Sequence, residues 1–92
     1  MRDEKGIFYF PVLEKKSLRM YVRLTANDVE FRPFDLDDPS LWDEHGWVPY
    51  TAILEAKRFY REKNTKGVFP AHLYDIEIAI RLLRDAIEDE ME

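Results

Sequence analysis

Cysteine is absent from this 92-residue chain. That excludes a disulfide scaffold, a zinc–thiolate site, an iron–sulfur cluster and thiol catalysis. Glycine is scarce: the three glycines stand apart at positions 6, 46 and 67, so no glycine-rich loop exists to cradle a phosphate. There are two serines, Ser17 in a polar turn and Ser40 before a short apolar stretch, and no G-x-S-x-G nucleophile motif. No apolar run approaches the roughly 18–20 residues that a membrane-spanning helix needs, so no membrane partner is expected. The opening Met-Arg-Asp-Glu-Lys, followed by aromatics, lacks a leader pattern, and no signal peptide is expected. A cytoplasmic location fits these absences.

Histidine is almost missing. His45 and His72 are the two, and their spacing matches no H-E-x-x-H motif and no pair one helical turn apart. Asp43, Glu44, His45, His72 and Asp75 are metal-ligating types without metal-ligating spacing. "DLDD" (Asp35 to Asp38) lacks the glycine and distal glutamate of a calcium loop and reads as a solvated acidic turn. No metal and no cofactor is expected. Asp85 with Glu88 or Asp89 is more simply a solvated helix face than an acid/base pair. The missing constellations favour a non-enzymatic protein.

What the chain does hold is apolar and aromatic material: 46% hydrophobic and 14% aromatic residues beside 36% charged ones. That suits one globular α+β domain spanning 1–92. "IFYFPVL" (Ile7 to Leu13) is β-rich. "LRMYVRL" (Leu18 to Leu24) alternates, with Leu18, Met20, Val22 and Leu24 on one side and Arg19, Tyr21 and Arg23 on the other. "VEFRPF" (Val29 to Phe34) alternates again, and Pro33 predicts an edge position or a strand end. These three segments predict an antiparallel meander over about 7–34. "PYTAILEAKRFYREK" predicts a helix over about 49–63, with Ile53, Leu54, Ala56, Phe59 and Tyr60 as its apolar stripe and "NTKG" as its stop. Leu73, Ile76, Ile80, Leu83 and Ile87 predict a second helix over about 70–88. Residues 89–92 are expected to fray, because their acids meet the negative end of the helix dipole. Two antiparallel helices on one sheet face would bury both stripes.

Two features resist that outline. The first strand is apolar on both sides, with Ile7 and Tyr9 facing one way and Phe8, Phe10 and Val12 the other. Cover by Asp35 to Trp47, pairing with a second copy, or a binding edge for a partner strand would each explain it. Exposed apolar patches are uncommon on monomers, which favours a homodimer. The second feature is "SLWDEHGWVPY" (Ser40 to Tyr50), which holds both tryptophans and His45. Ser40 and Asp43 suggest a capping box, and Gly46 a left-handed stop. One turn, Leu41 to His45, would set Trp42 and His45 on the same side. Trp47 would fold back on Ala52 or Ile53. The segment reads as a connector plugging the core, or as a hot spot of Trp42, His45 and Trp47.

Net charge is −5, in blocks. Residues 35–56 carry six acids and no bases, and residues 57–74 carry five bases and one acid. Such segregation can steer a protein partner. The expected activity is therefore protein–protein binding by an adaptor or regulator, through Trp42, His45, Trp47, Phe8 and Phe10. Nucleic acid is the weaker alternative, resting on Lys57, Arg58, Arg61, Lys63 and Lys66, which also complement a helix C-terminus. A small-molecule or metal-dependent enzyme with its site near Trp42, His45 and Trp47 is the remaining alternative.

Overall fold

The alternation of residues 18–24 decides the architecture, because it places the central strand between two differently furnished faces. A computed structural model describes residues 1–62 and 70–91. Five strands, β1 (Arg2–Asp3), β2 (Gly6–Tyr9), β3 (Leu18–Leu24), β4 (Val29–Asp35) and β5 (Val48–Pro49), form an antiparallel sheet in chain order. Three helices accompany them: α1 (Ser40–His45), α2 (Tyr50–Glu62) and α3 (Ile76–Glu90), with a 3-10 turn at Ala71–Leu73. The fold is α+β, and the expected meander forms its centre. The two additional strands are two residues long, too short to leave a periodic signal.

The pairing Tyr9↔Met20↔Pro33 and Ile7↔Val22↔Phe31 sets one row of side chains toward α2 and α3. Tyr9, Met20, Val22, Phe31, Ile53, Ala79 and Leu83 make the core there. Ala79 is fully buried where α3 approaches the sheet, and a larger residue would force the helix away. Phe8, Arg19, Tyr21, Arg23, Arg32 and Phe34 stand in the opposite register and form the outer face.

Several expectations are corrected. β2 ends at Tyr9, so Phe10 to Leu13 lie beyond it. Pro33 lies within β4 rather than at its end; β5 pairs only with Glu30 and Phe31, so Pro33's missing N–H faces no ladder on that side. Pro49 belongs to β5, and α2 starts at Tyr50. α2 takes its opening partner from outside: Asp28 Oδ2 accepts from the Thr51 amide at 3.0 Å and from the Thr51 hydroxyl at 2.8 Å. Of its predicted stripe Ile53 is buried and Ala56 half-buried, while Leu54, Phe59 and Tyr60 are exposed. α2 covers β4 and β5, whereas α3 lies across β2, β3 and β4, so the helices are not a closely packed pair among the described residues. The expected stop Asn64 to Gly67 lies outside the described residues. α3 begins one residue after Asp75, whose carboxylate accepts from the Glu77 and Ile78 amides, and continues through Asp89 and Glu90. The helix therefore outruns its expected end at 88.

The doubly apolar first strand is explained from within. Ile7 and Tyr9 face the core, β1 pairs along the outer edge of β2, and Phe8 is buried on the outer face beneath Arg19. No helix among the described residues is long and apolar enough to cross a membrane.

Candidate binding face

β2, β3 and β4 carry every second side chain outward, and these are aromatic or cationic. Phe10 meets Phe8 edge-on at 5.6 Å, and Phe8 meets Tyr21 at 5.2 Å. Tyr21 meets Trp42 at 5.3 Å, and Trp42 meets Trp47 at 5.9 Å. Phe34 joins the same cluster through Trp42 at 6.1 Å. Edge-to-face contacts put a ring's positive rim on its neighbour's negative face, so this chain of rings is favourable beyond its area.

Cations cover the exposed ring faces. Arg32 lies 4.0 Å from the Trp42 centroid, Arg23 4.3 Å from Trp47 and Arg19 4.9 Å from Phe8. Lys5 lies over both Phe34 and Trp42, at 4.8 and 5.0 Å, and Lys16 lies 5.3 Å from Phe10. Each pairing sets a positive charge against the ring quadrupole while keeping the cation partly hydrated.

Arg32 docks α1 onto the sheet. Its Nε donates to the Trp42 carbonyl at 2.8 Å while its guanidinium stacks on the same residue's ring. Asp43 stands 3.6 Å from Arg32 Nη2 but is largely exposed, so that ion pair adds little. α1 is capped differently from expectation. Pro39 holds the N-cap position without a side-chain cap, and the Ser40 hydroxyl donates to Asp38 instead. Gly46 does stop the helix, at φ 66°, and its amide donates to the Trp42 carbonyl. Asp35 is buried beneath this connector rather than solvated. Its carboxyl lies below the usual carboxylate range because the Asp37 amide donates to it and Lys15 sits 3.0 Å away.

At the far edge Asp3 fastens β1 to the outer face. Its carboxylate accepts from the Tyr21 hydroxyl and from Arg19 Nη1. Burial pushes the Asp3 carboxyl up, but the Tyr21 hydrogen bond, the Lys5 amide and the Arg19 charge together bring it below the usual range. Arg19 Nε is buried without an acceptor among the described residues, so Asp3 and the Phe8 ring hold this guanidinium in place.

Of the five expected binding residues, Trp42, Trp47, Phe8 and Phe10 share this face. His45 does not. Its Nδ1 lies 2.7 Å from the Gly46 carbonyl and its Nε2 2.8 Å from the Tyr74 hydroxyl, with the two rings stacked. A carbonyl can only accept, so Nδ1 carries the proton and Nε2 accepts from Tyr74 in the neutral ring. Tyr74 in turn packs edge-on against Phe31 of the core. His45 thus ties the α1 corner to the helical side, and Trp42 and His45 address different neighbours. Trp47 packs on Trp42 and Arg23 rather than folding back on Ala52 or Ile53.

Sequence reasoning missed Tyr21, Phe34 and the five cations as members of the site. The available signal was parity: Arg19, Tyr21 and Arg23 share one side of their strand, as do Arg32 and Phe34. The alternative basic set is divided. Lys57, Arg58 and Arg61 lie exposed on α2 and line a shallow concavity with Leu54 and Glu55; Lys63 and Lys66 lie outside the described residues. His72 is exposed in the 3-10 turn and Asp75 is occupied as the α3 cap. Among the described residues no three histidine or carboxylate groups converge as metal ligands. No family model matches this chain, and no curated protein and no solved structure matches it either.

Proposed function

We propose that this protein is a non-enzymatic binding protein that captures another protein on the outer face of its sheet. The observation that carries the reading is the continuous run of rings from Phe10 to Trp47, roofed by cations, with Phe8 and Tyr21 buried within it and its ends partly exposed. Trp47, Phe34 and Phe10 are half-buried, which leaves apolar area for a partner to cover. Rigid aromatic and arginine side chains are the usual anchors of protein interfaces. Lys5, Lys16, Arg19, Arg23 and Arg32 exceed by one the acids Asp3, Glu4, Glu30 and Asp43 in the same region. The complementary partner therefore presents acidic and apolar groups together.

The test is affinity capture with Trp47→Ala beside the wild type, each captured species identified by mass spectrometry. Trp47 lies at the end of the ring chain, and its truncation should cost about 1 kcal/mol of stability or less. The variant is expected to fold yet lose the partner, with affinity falling roughly thirtyfold for a hot-spot residue worth about 2 kcal/mol. Undiminished capture by a folded Trp47→Ala would remove the outer face from the interaction.

A second reading is binding of nucleic acid through α2, supported by the exposure of Lys57, Arg58 and Arg61 along one concavity. It expects a salt-sensitive mobility shift with single-stranded or duplex probes, abolished by Arg58→Glu with Arg61→Glu. No shift by the wild type at low salt ends this reading.

A further inference from the structure

The helical side of the molecule carries an apolar groove. Leu24 and Val29 at the end of the β3–β4 hairpin form one wall; Ile80, Leu83 and Ile87 of α3 form the other, with Arg84 and Glu88 at the rim. Its volume is about 440 Å³. Leu24 is 57% exposed, Ile80 45% and Ile87 46%. Ile80, Arg84, Ile87 and Met91 recur at steps of four, three and four, so they form one stripe along a flank of α3 that is exposed among the described residues. Such a stripe on a helix end invites another helix.

Charge identifies the helix. Going along α3, Glu77 lies in the first turn, Arg81 and Arg84 follow, and Asp85, Glu88, Asp89 and Glu90 come after them. Glu88, Asp89 and Glu90 lie at the negative end of the helix dipole, which is unfavourable in isolation. A second α3 laid antiparallel sets that acidic end against the stretch of its neighbour that carries Arg81 and Arg84. With the twofold axis between positions 85 and 86, Ile80 lies opposite Met91 of the other copy, and Arg84 lies opposite Ile87. In the same register Arg84 and Glu88 fall on the same flank of their helices and meet reciprocally across the axis. A self-complementary patch of this kind is what a twofold interface requires.

We infer that this groove binds a second copy of the chain, α3 against α3 in antiparallel register, giving a homodimer. The measurement is sedimentation equilibrium across a concentration series. Wild-type protein is expected to be dimeric, and Ile87→Glu monomeric with an unchanged circular dichroism spectrum, since Ile87 is exposed in the single chain. Arg84→Glu alone and Glu88→Arg alone each place like charges across the axis, and each is expected to weaken the dimer at least roughly tenfold. In the first variant positions 84 and 88 are both acidic; in the second both are basic. Opposite charges then meet across the axis only when one chain of each kind associates. A heterodimer of near wild-type affinity is therefore expected from the mixture. A wild-type monomer at the highest soluble concentration overturns the assignment and leaves the groove to another occupant. A dimer that survives Ile87→Glu, or a mixture that fails to associate, overturns it as well.

Discussion

Trp42→Ala is expected to lower the stability of the folded protein by about 3 kcal/mol, within the range for truncating a buried tryptophan and tempered by this residue's partial exposure. The reason lies in its position. Trp42 touches Tyr21, Phe34 and Trp47 at once, and both Arg32 and Lys5 lie over its ring. Removing the indole leaves Arg32 holding α1 only through the Trp42 carbonyl and the exposed Asp43. Tyr21, fully buried beneath it, would then face water on one side. For a domain of this size the melting temperature should fall by roughly 12–20 °C. Trp47→Ala, which unseats one ring edge and one arginine stack, should fall by roughly 4–8 °C at most. Urea or thermal unfolding of the two variants measures the difference. Equal melting of Trp42→Ala and wild type would show that α1 is held to the sheet by something other than this indole. The contrast also separates two questions that the sequence left joined. Trp42 serves mainly to close the outer layer, so loss of binding in its variant would not identify an interface; Trp47 carries that test.

The central architecture was legible because period-2 alternation over seven residues is hard to produce by accident. Leu18, Met20, Val22 and Leu24 were assigned to one side, and the register with β4 keeps them there. The ends of that row were not legible. Leu24 is inward by parity yet exposed, because α3 runs past it without covering it and leaves the groove open. β1 and β5 were invisible for a different reason: two residues have no period. What creates them is a pair of local devices, the Glu4–Lys5 turn with Gly6 at φ 130° and the Gly46 stop that releases Trp47 to Pro49 alongside β4. Helix α2 shows the limit of amphipathic patterns. Its apolar spacing predicts a buried stripe, but only Ile53 is buried, since a helix buries what its neighbours reach.

The candidate site was half legible. Tryptophan and phenylalanine content marked Trp42, Trp47, Phe8 and Phe10, but as two separated groups. Tyr21 and Phe34, which join them, sit on different strands, and strand pairing is non-local information. The cations were read as ordinary outward-facing strand residues, though the same alternation that exposes Arg19, Arg23 and Arg32 also places them over rings. His45 was grouped with Trp42 by helical spacing. In one turn of helix, three residues apart is near enough to share a side, yet the two side chains diverge because Tyr74, distant in sequence, captures the imidazole. Asp28 lay in an expected turn and Asp75 was weighed as a metal-ligating type, and both anchor helix beginnings.

The second large effect concerns Tyr9, a phenol that joins the sheet to the start of α3 by two hydrogen bonds to backbone groups. Its hydroxyl donates to the Leu73 carbonyl at 2.6 Å and accepts from the Asp75 amide at 2.9 Å. Tyr9→Phe leaves both backbone groups without that partner while keeping the ring in the core. A cost of about 2–3 kcal/mol is expected at neutral pH. The pH dependence should change as well. Burial pushes the Tyr9 phenol up to about 12, the nearby Asp75 charge adding to it and the Asp75 amide opposing it. An unfolded tyrosine titrates near 10. A pKa raised in the folded state means that its contribution is whole below pH ~10 and is lost as pH rises from about 10 to about 12. Tyr74 is raised by burial, and Tyr21 by burial and its bond to Asp3, so both steepen the same alkaline limb and both persist in the variant. Wild type should therefore start higher at pH 8 and fall further between pH 10 and pH 12 than Tyr9→Phe, bringing the two curves together. Unfolding free energies from urea titrations across that window make the comparison. Two curves that remain parallel up to pH 12 would show that the Tyr9 phenol titrates alike in the folded and unfolded chains, and that the joint between β2 and α3 does not depend on its proton.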